Sequence, residues 1–137
     1  TGLSACWLLD GMDAASCLVT VDSEPGYVEI AQKHLGHDER VEFNVQDGSA
    51  FLAARQGEAY DLIFADTWPG KYWDLDLALD LLKVGGFYLV DDMLPQDNWP
   101  ADHSSKVAVL IELLENKPGY WMTKMDWSTG LILLAKT

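Results

Sequence analysis

Positive charge is scarce in this chain: nine Lys and Arg stand against 22 Asp and Glu, for a formal net charge of −13. The nine cations are scattered, with no basic patch. A surface this acidic repels phosphate backbones, so nucleic acid and anionic membranes are disfavoured partners. Cysteine is equally sparse, with Cys6 and Cys17 alone and no Cys/His spacing suited to a metal. Two reduced, buried thiols in a cytoplasmic protein are the expectation. No run reaches the ~18 apolar residues of a membrane span. The opening TGLSACWLLDGM carries no positively charged leader segment. Internal repeats and low-complexity stretches are also absent.

What is present is a core-forming composition, 49% hydrophobic over 137 residues, which suits one domain spanning 1–137. Short β-rich runs alternate with helical ones, the pattern of a parallel sheet covered by helices. Helices are expected at 3–12, at 25–35 with Ser23 as cap and Gly36 as stop, at 50–56 capped by Ser49, at 74–82 closed by Gly85-Gly86, and at 104–117. Strands are expected at 17–22, 41–47, 60–66 and 87–92, followed by an antiparallel hairpin from 120–127 and 131–135.

The expected parallel strands end on acids: Asp22, Asp47, Asp66 and Asp91-Asp92. In open α/β sheets, ligands bind beyond the carboxyl ends of the strands, so these acids are candidates to line a crevice. Asp22 follows the Gly-containing turn at Thr1-Gly2-Leu3-Ser4 by about twenty residues, the spacing between a phosphate-type turn and a ribose-binding acid. A carboxylate there can accept both ribose hydroxyl protons; capping the next helix is its other role. Trp68, Tyr72, Trp73 and Trp99 lie in two loops that would flank a substrate mouth, where they can sandwich a planar acceptor or simply pack. Trp121 and Trp127 read as core or interface residues of the hairpin. His34 and His37 read as a solvated helix end. His103 reads as a surface residue at a helix start, with general-base chemistry as the alternative.

Taken together, these segments resemble class I S-adenosylmethionine-dependent methyltransferases, and more narrowly the cation-dependent O-methyltransferases of the catechol and caffeoyl-CoA type. TGLSACWLL resembles the end of that family's first motif, and VTVDSEP its ribose-binding strand end. VQDGSAFL resembles the adenine-side loop. YDLIFADTWPGKY resembles the strand and loop with the first metal-ligand Asp, and LLKVGGFYLVDDML the strand ending in a metal pair. The resemblance implies a Rossmann-like α/β fold, a mostly parallel sheet flanked by helices with a C-terminal antiparallel hairpin. It implies S-adenosylmethionine held by Gly2, Ser4, Asp22, Ser23, Asp47, Gly48, Ser49 and Asp66. It also implies Mg²⁺, or another divalent cation, on Asp66, Asp91 and Asp92, with a small hydroxylated acceptor and a homodimer among the assemblies open to it. A bacterial branch of the fold would instead present a tRNA-base hydroxyl, and a degenerate relative would bind without catalysis.

The chain departs from the family in three ways. The family's opening strand and first glycine would precede Thr1, which leaves an expected gap between the 17–22 and 60–66 strands. The catalytic Lys of the catechol-type enzymes, three residues past the first metal Asp, is replaced by Pro69, and Lys71 is the nearest cation. Asp92 stands where the metal pair has Asn. Lys71 and His103 are therefore the candidate bases, and Lys71 is the alternative to a metal as the counter-charge of the acids.

Overall fold

The computed structural model describes all 137 residues. It divides into two compact units, residues 1–51 and 52–137. The first runs α1 (Leu3–Gly11), β1 (Leu18–Asp22), α2 (Pro25–Leu35) and β2 (Val41–Val45), and ends inside α3 (Gly48–Ala54). The second continues with β3 (Tyr60–Ala65), α4 (Leu75–Asp80), β4 (Leu82–Val90), α5 (His103–Glu115), β5 (Tyr120–Met125) and β6 (Leu131–Lys136).

In the first unit, β1 and β2 pair in parallel, from Leu18 opposite Val41 to Asp22 opposite Val45. Pro25 sits in the first turn of α2, where its missing N–H costs nothing. Val28 and Ala31 bury one face of that helix. Glu24, rather than Ser23, occupies its N-cap position. Gly36 follows the last residue and donates to the Gln32 carbonyl at 2.8 Å.

Arg40 ties this unit together. Its guanidinium donates to the carbonyls of Leu9 (2.9 Å), Met12 (2.7 Å) and Asp13 (3.2 Å), which satisfies the carboxyl end of α1. Asp38 holds the guanidinium in place through Nη2 at 2.7 Å and Nε at 3.0 Å. The Arg40 side-chain hydrogen bonds, followed by the Arg40 backbone N–H, hold the Asp38 carboxyl down at about 2. A depressed native pKa contributes stability above the unfolded value near 4, and that contribution is lost as pH falls toward 2. Wild type should therefore exceed Asp38→Asn in urea midpoint at pH 6, and the gap should close between pH 4 and 2. A gap independent of pH would refute this linkage.

In the second unit the strand order is β3-β4-β6-β5. β3 and β4 are parallel, whereas β6 runs antiparallel to both β4 and β5. The core gathers Leu79, Leu82, Tyr88 and Val90 with Val107, Leu110 and Leu114 of α5 and Ile132 and Leu134 of β6. The helical spacing of the α5 positions is what turns one face inward.

The architecture is the expected mixed α/β one, with its antiparallel hairpin. β1 and β3 lie in separate sheets, and each pairs along one edge only. Four local expectations are corrected. β4 begins at Leu82, so Gly85-Gly86 lie within a strand and do not close α4. Gly85 takes φ +82°, and the register jumps from Tyr60–Leu82 to Leu62–Phe87, so the glycines mark an irregularity. Asp47, not Ser49, caps α3, accepting the Ala50 N–H at 3.0 Å. Cys6 and Cys17 are exposed rather than buried. Trp121 and Trp127 are 77% and 71% exposed, so neither is a core residue. No helix is long and apolar enough to cross a membrane.

Candidate active site

The first unit carries a crevice lined by Gly2, Thr20, Asp22, Tyr27, Ala31 and Asn44, among others. Gly2 precedes α1 at φ +87°, a conformation that favours glycine. A Cβ there would lie 2.8 Å from the Ala31 Cβ, so the turn packs directly on α2. No side chain caps α1. Its first N–H groups therefore keep their capacity for an anionic ligand. Asp22 ends β1, and its Oδ1 accepts the Glu24 N–H at 2.9 Å. The other carboxylate oxygen has no protein hydrogen bond and is the atom suited to a ribose hydroxyl. The free carboxylate oxygen suits a hydroxyl donor, and the uncapped helix end suits an anion.

Of the residues expected to hold the cofactor, Gly2 and Asp22 meet in this crevice. Ser4 and Ser23 are exposed and do not line it. Asp47 caps α3 and Gly48 and Ser49 open it, also outside the lining. Thr20, Tyr27 and Asn44 were not anticipated. Strand or helix position alone gives no signal for them, because each looks like an ordinary half-exposed residue of its element.

The second unit gathers the remaining candidates at the carboxyl ends of β3 and β4. Asp66 follows β3, and Asp91-Asp92 follow β4. A tight turn after Asp66 aims Lys71 back at them. Lys71 and Tyr72 both donate backbone N–H to the Trp68 carbonyl, at 3.0 and 2.9 Å, and Gly70 donates to Trp73 at 2.7 Å. Gly70 has φ +85°, and its carbonyl accepts the buried Tyr88 hydroxyl. Lys71 is only 4% exposed, and its Nζ donates to the Asp91 carbonyl at 2.6 Å. Burial pulls its pKa down, opposed by the charges of Asp92, Asp66 and Asp91. The Asp66 carboxyl is pushed up by desolvation, then by Asp91 and Asp92, with Lys71 acting against them.

Asp91 is committed within the protein. Its Oδ1 accepts the Thr129 hydroxyl at 2.6 Å and the Asp92 N–H at 2.7 Å. Asp92 takes φ +58°. No group of three or more His, Cys, Asp or Glu side chains is arranged to hold a metal ion. The expected set of Asp66, Asp91 and Asp92 is therefore not assembled as a ligand shell, and its donors do not fit a divalent cation as they stand. Thr129 was missed by sequence reasoning, since its partner lies 38 residues away.

His103 corrects a further expectation. It does open α5, but it is 7% exposed and not a surface residue. Its Nε2 lies 3.1 Å from the Tyr72 hydroxyl, and its buried Nδ1 has no partner. Trp99 packs on its ring at a centroid distance of 4.4 Å, with Tyr72 at 5.3 Å and Trp68 at 6.2 Å. Trp73 meets Trp68 edge-on at 5.4 Å, and the Lys106 ammonium lies 4.6 Å from the Trp68 ring. The loop aromatics thus form one cluster, with Trp68 and Trp73 partly exposed.

This arrangement belongs to the Rossmann-like methyltransferase class. An O-methyltransferase from Bacillus cereus, solved with S-adenosylhomocysteine, superposes with a TM-score of 0.86 at 21% identity, covering 99% of this chain and 70% of that one. The O-methyltransferase TomG from Streptomyces achromogenes, solved with S-adenosylmethionine, gives 0.83 at 24% identity, covering 99% and 69%. At these identities the likeness is one of fold. Residues 1–93 match the family described as "Methyltransferase domain", and the chain belongs to that family. A Mycobacterium avium protein named "Putative O-methyltransferase" is 31% identical over 94 residues, 65% of this chain. The chain spans 42% of the length of that relative.

Proposed function

We propose that this protein transfers a methyl group from S-adenosylmethionine to an oxygen of a small hydroxylated acceptor. The carrying observation is the crevice in which Gly2 and Asp22 meet. The family match and the O-methyltransferase relative support the same reading. S-adenosylmethionine supplies an electrophilic sulfonium methyl.

The chain's own residues then have separable tasks. Asp22 holds the ribose through its free carboxylate oxygen, and the uncapped α1 N-terminus receives the amino-acid carboxylate. In the second unit, Trp68 and Trp73 offer aromatic faces to a planar acceptor. Tyr72 and His103 form a hydrogen-bonded pair able to take a hydroxyl proton.

Calorimetry with S-adenosylhomocysteine tests the cofactor half of this reading. Transfer of labelled methyl to a panel of small phenols, with unfractionated tRNA alongside, tests the acceptor half. Label in a phenol is the expected result, and Trp68→Ala should raise its KM several-fold. Label in tRNA alone would replace the acceptor assignment, and binding without transfer to either would leave a non-catalytic module.

A further inference from the structure

We infer that the Lys71 ammonium is the resident counter-charge of the Asp66, Asp91 and Asp92 cluster, standing where a divalent cation would otherwise be needed. The inference deepens the proposed methyl transfer and rests on it for its catalytic meaning. Its physical content concerns the second unit alone.

Three observations converge on it. Lys71 is almost wholly buried, although an ammonium is rarely placed so without payment in opposite charge. Its Nζ is fixed on the Asp91 carbonyl at 2.6 Å, at the carboxyl ends of β3 and β4. The turn that delivers it is over-determined: two N–H groups on the Trp68 carbonyl, the Gly70 bond to Trp73, and the Tyr88 hydroxyl on the Gly70 carbonyl. Gly70 also holds φ +85°, where a side chain would be strained, and a Cβ there would crowd the Tyr88 hydroxyl at 3.1 Å.

The acids are arranged to match. Asp91 spends one carboxylate oxygen on Thr129 and on the Asp92 N–H, both of which would compete with metal ligation. The carboxylates are not gathered as an ion's ligand shell. An ammonium fixed on the Asp91 carbonyl also repels a dication at that strand end. Lys71 is thus a positioning residue for the acids, and an acceptor oxygen bound near it would meet a positive charge built into the chain.

Manganese binding to the full chain, followed by electron paramagnetic resonance and calorimetry, tests this without a known acceptor. Wild type should show no saturable binding at millimolar Mn²⁺, and Lys71→Arg should behave alike. Lys71→Met removes the positive charge that opposes a dication and frees the acids to rearrange around one, and should bind Mn²⁺ at least about tenfold more tightly than wild type. Adding Asp66→Asn should remove that gain. Lys71→Gln, which can still donate to the Asp91 carbonyl, serves if the Met variant does not fold. Saturable binding by wild type that Asp66→Asn abolishes would overturn the inference. So would a folded Lys71→Met or Lys71→Gln with no gain. S-adenosylhomocysteine binding in the same samples reports on the methyltransferase reading separately, so the two failures are distinguishable.

Discussion

Asp22→Ala should weaken S-adenosylhomocysteine binding by about 10- to 150-fold, corresponding to roughly 1.5–3 kcal/mol for lost charge-assisted hydrogen bonds. The carboxylate sits at the end of β1, where the chain turns into α2. One oxygen is used on the Glu24 N–H at 2.9 Å, which orients the group. The other is free to accept from a ribose. Alanine removes both, so part of any effect could come from the turn. Asp22→Asn separates the two contributions. It keeps a carbonyl oxygen for Glu24 and loses the charge, so it should fall between wild type and alanine in affinity with wild-type stability. Calorimetry gives the affinity, and urea unfolding gives the stability. Equal affinity in all three proteins would remove Asp22 from the ribose site and, with it, the observation on which the proposed function stands.

Asp22 was legible in the sequence because its signal is local. A short apolar strand, an acid, and a Pro-started helix follow one another within ten residues, and the parallel pairing with β2 needs only that order. β3, the hairpin and α5 were legible for the same reason: their periods and stops lie within the segment. The Gly85-Gly86 pair was not, because glycine after an apolar helical face looks like a stop. What decides it is the pairing of Leu82 with Tyr60, 22 residues away. The burial of His103 is likewise non-local, set by Trp68, Tyr72 and Trp99 from two other loops. Lys71 was visible as the nearest cation to Asp66. Its bond to the Asp91 carbonyl was not, since it depends on the turn that folds 68–73 back. Charge and residue type thus marked Asp22, Asp66 and Lys71 as candidates, while the contacts of Lys71 and His103 depend on residues far away in the chain.

Gly130 packs against Leu94, and Gly130→Val should destabilise the second unit by about 2–5 kcal/mol. Two costs add. Gly130 has φ +86°, where an L-residue with a Cβ loses about 1–2 kcal/mol. A Cβ would also lie 2.5 Å from the Leu94 backbone nitrogen and from its Cγ, an overpacking worth about 1–3 kcal/mol. The clash cannot relax cheaply. Leu94 donates its N–H to the Thr129 carbonyl at 2.8 Å, and Met93 donates to the Gly130 carbonyl at 3.0 Å. Moving that backbone aside breaks the clasp that also brings the Thr129 hydroxyl onto Asp91. Gly119→Val isolates the first cost: it has φ +83° and nothing within 4 Å of its would-be Cβ. It should therefore lose only about 1–2 kcal/mol. Urea unfolding of the two variants beside wild type reads the difference. If Gly130→Val and Gly119→Val cost the same, backbone conformation alone is responsible, and the packing of the hairpin turn against Leu94 contributes nothing to stability.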